Sequence, residues 1–158
     1  MIDLILTLKV VHVLGAAVLF GTGLGIAFFM VMAHRTRDPA LIAGTARIVV
    51  IADAVFTATA VVVQPLSGVA LAGAIGYSLS EPWIVASIAL YVLVGMCWLP
   101  VVWIQIQLRD IAAYAARHGA TLPAGYFSLF RVWFILGWPA FVGVIAIFAL
   151  MIWKPELW

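Results

Sequence analysis

Charged residues are scarce in this sequence of 158 residues. It contains 8 Lys and Arg and 6 Asp and Glu, together 9% of the chain, whereas about 25% is typical of soluble domains. So few charges cannot cover the surface of a folded chain of this size, so a soluble globular domain is excluded. The formal net charge of +2 is also too small and too scattered to indicate nucleic acid binding.

Cysteine and histidine are scarce as well. A single cysteine, Cys97, excludes an intrachain disulfide framework and a multi-thiolate metal site. Of the three histidines only His12 lies within an apolar stretch, so the membrane part of the chain has no histidine pair for zinc or for a bis-histidine haem. Hydrophobic residues, in contrast, make up 67% of the chain, which excludes disorder. The composition therefore predicts an integral membrane protein.

Four stretches are long and apolar enough to cross a bilayer, which takes about 20 residues per helix. They cover residues 4–33, 48–75, 83–108 and 128–153. Because these runs are continuous and do not alternate, they predict helices and not the strands of a barrel. The links between them are short. The predicted fold is therefore all-α: a single domain over residues 1–158, forming an up-down four-helix bundle in the membrane.

The arginines predict the orientation of this bundle. All six lie in or beside the first and third links: Arg35, Arg37, Arg47, Arg109, Arg117 and Arg131. The second link contains Glu81 and no basic residue. Because an excess of Lys and Arg marks cytoplasmic loops, we expect both termini to be periplasmic, in a multi-pass protein of the bacterial inner membrane.

Two ionisable residues interrupt the first apolar stretch. An ionisable residue inside a membrane helix suggests a functional site. Lys9 and His12 are one helical turn apart on one face. Ala16 and Gly23 continue that face, with Gly15 beside it. A wall of small residues next to one imidazole suits either close packing of a neighbouring helix or a flat macrocycle, and the spacing leaves both interpretations open.

The second apolar stretch contains what we call the polar seam, four residues at positions i, i+4, i+7 and i+11: Asp53, Thr57, Ala60 and Gln64. We expect Asp53 to form a structural ion pair with Arg47 or with Arg131; a proton relay is the alternative. Gln64 precedes Pro65, which removes one helical hydrogen bond and frees a carbonyl one turn back.

Six segments of the sequence together resemble a known family: Leu8–Gly15, Ala52–Thr57, Val63–Gly68, Trp98–Val102, Arg131–Phe134 and Leu136–Phe141. They resemble a bacterial family of predicted inner-membrane proteins known as domain of unknown function 2269. The Lys-x-x-His start of the first helix is also similar to two other groups. These are the four-helix membrane protoporphyrinogen oxidases, thought to carry b-type haem, and the copper-resistance D membrane domain.

This second resemblance implies a function, a b-type haem protein that exchanges electrons with quinone or a protein partner. It implies that His12 is the axial (metal) ligand and that Lys9 faces a haem propionate. The expected pocket adds small and polar residues from three helices, namely Gly15, Ala16, Gly23, Gln64 and Tyr91. The second axial position would be filled by Met96, by water or by a second protomer, or would stay vacant. The oxidases also have basic residues deep in later helices, which this sequence lacks.

Two other functions stay open at this point. The first is a cofactor-free accessory subunit of a larger membrane complex. The second is a copper or small-solute membrane component, for which copper(I) would need clustered Met and Cys, whereas Met96, Cys97 and Met151 are dispersed. Whether the chain is an enzyme does not follow from the sequence, and a homo-oligomer is compatible with each of these functions.

Overall fold

The computed structural model describes residues 2–157, and these form four helical spans. The first is α1 (Ile2–Thr36); the second consists of α2 (Pro39–Ala52) and α3 (Ala58–Ile75), joined by a π-helical turn at Asp53–Thr57; the third and fourth are α4 (Pro82–Arg117) and α5 (Ala124–Trp153). Each span is long and apolar enough to cross a membrane. The predicted all-α fold with four membrane helices is confirmed.

Short links join the spans at the two ends of the bundle. The end that holds the first and third links carries the arginines, and we call it the basic end; the other is the far end. At the basic end the Asp38 side chain caps α2 by accepting hydrogen bonds from the amides of Ala40 and Leu41, at 2.8 and 3.4 Å. At the far end Gly76, at φ 94°, ends α3 in the left-handed conformation that glycine adopts without strain.

The predicted spans lie within these helices. The second and third helical spans extend well beyond the predicted limits, toward the basic end. The second span begins at Pro39 and not at 48, and the third continues to Arg117 and not only to 108. The reason is that Arg47 and Arg109 interrupt the apolar runs without interrupting the helices. The third span, with 36 residues, is about 54 Å long, longer than the roughly 30 Å hydrocarbon core. The extra length of the second and third spans therefore lies at the basic end.

The spans pack in a ring, each against its neighbours. α1 packs on α2 and α3, α2 packs on α4, and α4 packs along α5. The ring closes between α5 and α1, where Phe20 lies 5.3 Å from Phe141 and 5.8 Å from Phe148 between ring centroids. The largest buried cluster lies toward the basic end and includes Met30, Ile42, Leu108, Tyr126 and Trp133.

The far end is packed more loosely. Its cluster contains only Ala72, Trp83 and Ile84, with Tyr77 and Met151 packed against it. In α1 no residue before Ile26 is buried. The far-end part of α1 is thus covered by α3 on one side and by α5 at Phe20, and its remaining surface is open to lipid or to another molecule.

The buried face of the second span runs through the polar seam. Its buried positions alternate at steps of three and four residues through Ile42, Ala46, Val49, Asp53, Thr57, Ala60, Gln64 and Ser67. Two consecutive steps of four coincide with the π-helical turn, which shifts the register of the face at that point. The seam that the spacing predicts is therefore turned into the bundle and extends to Ser67.

Candidate functional site: His12 and the polar seam

His12 lies on the far-end part of α1, against α3. Its Nδ1 atom is 2.9 Å from the Ser67 hydroxyl oxygen, and that hydroxyl is 2.7 Å from the Val63 carbonyl, to which it donates. A hydroxyl has one hydrogen to give. When it is given to Val63, the Nδ1–H of His12 donates to Ser67, and Nε2 keeps its lone pair.

Two glycines allow this close approach of α1 and α3. A Cβ atom on Gly68 would lie 3.1 Å from Cε1 of His12, and one on Gly15 would lie 2.5 Å from Nε2 of Gln64. The Gln64 amide donates to the backbone carbonyl of His12 at 2.8 Å. The imidazole thus rests on the Gly68 backbone, and Gln64 occupies the space that the absent Gly15 side chain leaves.

The other residues expected around a cofactor do not all gather here. Lys9 is exposed one turn nearer the far end, and nothing lies within 4 Å of a Cβ built on Gly23. Ala16 is only partly buried, and Met96 is 59% exposed on α4. Gly15 and Gln64 are therefore the two predicted pocket residues that the structure brings to His12.

Tyr91 reaches from α4 to α3. Its hydroxyl donates a hydrogen bond to the carbonyl of Val61, which is the carbonyl one turn before Pro65. Because proline lacks an N–H, this carbonyl has lost its helical partner. Tyr91 on α4 therefore satisfies the backbone gap that Pro65 makes in α3, while the neighbouring Gln64 is used against α1.

A cavity of about 310 Å³ lies beside this site, between α1 and the second span. It is lined by apolar side chains and Thr59, namely Val11, Leu14, Val18, Val55, Phe56, Ala60 and Val63, with Gly15 at its wall. His12 does not line it. The cavity is a lipid-facing groove, and it is not a pocket around the imidazole.

Asp53 lies in the half of the bundle nearer the basic end. It is 3% exposed, and its Oδ1 atom accepts a hydrogen bond from Nε1 of Trp98 at 3.3 Å. In the structure Asp53 is bridged to neither Arg47 nor Arg131; the one salt bridge within residues 2–157 joins Arg109 to Asp110 at 2.8 Å. Both arginines are exposed, as long basic side chains are when they keep the charged head in water.

Two residues join these sites that the sequence interpretation did not assign to them. Ser67 continues the polar seam three residues past Gln64, so the seam spacing itself would have identified it. Trp98 on α4 gave no such signal, because an aromatic residue on an apolar helix is usually a packing residue. Within residues 2–157 no three His, Cys, Asp or Glu side chains lie together as a metal site.

Comparison with known proteins gives one match. The sequence matches the family described as "Predicted integral membrane protein (DUF2269)" over residues 6–155, which confirms the family resemblance of the six segments. No curated protein and no solved structure matches the chain. The similarity to protoporphyrinogen oxidases and copper-resistance D domains stays a prediction.

Proposed function

The chain belongs to the DUF2269 family of predicted integral membrane proteins, and we propose that His12 is the axial ligand of a b-type haem in a small redox protein. The observation that supports this proposal is the hydrogen bond from the Nδ1 side of His12 to Ser67. Histidines that bind metals donate their other ring N–H to a nearby acceptor, which fixes the tautomer and the ring orientation. Ser67 is that acceptor, and Nε2 is the ligand atom.

A haem held by this chain would lie at the surface of the bundle beside His12. Nε2 of His12 would be the iron ligand, and neutral imidazole is a good one. Lys9, one turn nearer the far end, would supply a cation for a propionate. Met96 is 59% exposed on α4, and the second axial position would be filled by Met96, by water or by a second copy, or would stay vacant. When bound, the haem would supply one-electron transfer, with quinone or a protein as the partner.

The proposal includes an orientation and a location. With the basic end in the cytoplasm, the far end, Lys9 and His12 lie in the periplasmic half of the bacterial inner membrane. The support is the distribution of arginines, all of which lie at the basic end.

A reduced-minus-oxidised absorption spectrum tests the haem. Protein purified gently from cells given a haem precursor should show a Soret band, and His12→Ala should remove it. His118→Ala is the matched control, because His118 is an exposed histidine at the basic end and its loss should leave the spectrum unchanged. Ser67→Ala should keep the band but shift it, because Nδ1–H loses its acceptor. Colourless wild-type protein would contradict the proposal.

A specific observation favours a second candidate, the cofactor-free accessory subunit. His12, Ser67 and Gln64 satisfy one another across α1 and α3, as polar residues do when they join membrane helices, and the outer part of α1 has no buried residue. In this case a larger membrane complex, or a second copy of the chain, covers that flank. Cross-linking from Val13→Cys, an exposed position beside His12, should then give one specific product, whereas the exposed Val92→Cys on α4 should not.

A further inference from the structure

Four buried polar atoms have no hydrogen-bond partner among residues 2–157. They are Oδ2 of Asp53, Oγ1 of Thr57, Oε1 of Gln105 and Nε1 of Trp133. The proposed haem function uses none of them. Buried polar groups are nearly always paired with protein or ordered water, so four such atoms in one half of a small bundle need an explanation.

Asp53 is the one residue of the four that can carry a charge. The residue is 3% exposed, its Oδ1 atom has only the Trp98 N–H, and its Oδ2 atom has no hydrogen-bond partner. Among residues 2–157 no cation forms a salt bridge with it. Moving an unpaired carboxylate out of water costs far more than leaving it neutral, and within a membrane such a group marks a site for protons or ions.

The helices around Asp53 place few titratable side chains near it. α1, which packs on the π-helical turn, has no titratable side chain between His12 and His34, and α3 has none. On α2 the nearest is Arg47, six residues away and exposed; on α4 they are Cys97, next to Trp98, and Tyr91, which is bonded to Val61. With no cation in a salt bridge with Asp53 among the described residues, a proton on its carboxyl is what neutralises it.

The other unpartnered atoms indicate from which side a proton reaches Asp53. Gln105 lies seven residues beyond Trp98 on α4, about 10 Å nearer the basic end. Gly143 of α5 faces Val94 of α4, and counting along this antiparallel pair places Trp133 level with Gln105. Both are almost fully buried, and Trp133 packs with the core residues on either side of Gln105.

Gln105 and Trp133 offer an unpartnered acceptor and an unpartnered donor at one level of the bundle, and such buried groups are commonly satisfied by water. On the other side of the turn only Thr57 is unpartnered, and beyond it Gln64 and Ser67 are bonded to α1 or to their own helix. Unpartnered groups are therefore present on the basic-end side of Asp53, whereas on the far-end side they stop at Thr57.

We infer that Asp53 is a proton-binding site of the membrane bundle that exchanges its proton with water at the basic end, past Gln105 and Trp133. The proton is carried on Oδ2, beside the Thr57 hydroxyl, while Oδ1 keeps the Trp98 hydrogen bond. It comes from water and returns to water on the same side, and no other group changes charge. This replaces the predicted ion pair with the alternative role for the same residue, and it does not depend on haem binding.

Carboxyl ¹³C NMR of the full chain in liposomes, labelled at aspartate, tests the protonation without any variant. The chain has four aspartates, and the other three, Asp3, Asp38 and Asp110, are exposed. At pH 7 we expect three carboxylate resonances and one resonance of a protonated acid. Asp53→Asn should remove the acid resonance, and Asp110→Asn should remove a carboxylate resonance. Four carboxylate resonances would overturn the proposal, and so would an Asp53 carboxylate whose resonance responds to sodium, because that result indicates a metal-cation site.

Infrared spectroscopy tests the route. The protonated carboxyl of Asp53 shifts its C=O band on exchange into D₂O, and the exchange rate reports access. Gln105→Leu or Trp133→Phe should slow this exchange severalfold. Ser87→Ala is the matched control, because Ser87 is equally buried on α4 but lies toward the far end; it should leave the rate unchanged. Unchanged exchange in both route variants, or equal slowing by the control, would overturn the route.

Discussion

Gly15→Ala tests the contact between α1 and α3 in which the Gln64 amide occupies the space beside Gly15. The added Cβ would lie 2.5 Å from Nε2 of Gln64, so the amide must move and its hydrogen bond to the His12 carbonyl is lost. Because the clashing atom is the far end of a flexible side chain, the cost is the lost bond and not a backbone displacement. Hydrogen bonds between membrane helices contribute about 0.6 kcal/mol on average and up to about 2 kcal/mol.

The same substitution also has a favourable term, because alanine is better than glycine in a helix by about 1 kcal/mol. Gly23→Ala measures that term alone, since Gly23 lies on the same helix with nothing within 4 Å of an added Cβ. We therefore expect Gly15→Ala to be less stable than Gly23→Ala by about 0.6–2 kcal/mol. The measurement is reversible unfolding in mixed micelles, followed by the fluorescence of the seven tryptophans.

A double-mutant cycle refines this test. In a Gln64→Ala background the Gly15→Ala change has no amide to displace. Its effect on the free energy of unfolding should then equal that of Gly23→Ala. If Gly15→Ala and Gly23→Ala have equal stabilities in the wild-type background, or if Gly15→Ala costs the same with and without Gln64, the reasoning is refuted.

Three further predictions concern Tyr91, Gly68 and the orientation of the bundle. Tyr91→Phe leaves the Val61 carbonyl without its donor and should lower the free energy of unfolding by about 1 kcal/mol, whereas Tyr114→Phe, at a 60% exposed position, should have no measurable effect; equal effects would contradict the assignment. Gly68→Ala places a Cβ 3.1 Å from the His12 ring, so it should weaken haem retention at unchanged helix content, and an unchanged Soret band would separate Gly68 from the site. A C-terminal reporter fusion should be active in the periplasm and silent in the cytoplasm, and the reverse result would invert the proposed orientation.

Some features of the bundle could be predicted from the sequence because they depend on sums over many residues. The four spans follow from runs of about 20 apolar residues, and the buried face of the second span follows from the spacing of Asp53, Thr57 and Gln64. The helix limits at the basic end were less predictable. Hydropathy stops at Arg47, whereas the helix begins where Asp38 caps it and Pro39 fixes the first turn.

The partners of individual polar residues could not be predicted in the same way. Formal charge pairs Asp53 with an arginine, but in the bundle its neighbour is Trp98. Pro65 predicts a freed carbonyl one turn back but not its partner, and in the bundle Tyr91 reaches it from α4. Both outcomes depend on how two helices are aligned to within one residue, and the π-helical turn at Asp53–Thr57 changes that alignment midway along the second span.

The sequence by itself therefore determined that this chain is a four-helix membrane protein, that its arginines lie at one end and that one seam of its second span is polar. These are consequences of composition and helical period, and they hold whatever the partners are. The tertiary structure decided that His12 is held by Ser67, that Gln64 fills the space at Gly15 and that Asp53 lies beside Trp98. The physical reason is that a polar group in lipid bonds to whatever donor or acceptor lies within about 3 Å, and only the packed helices set that distance.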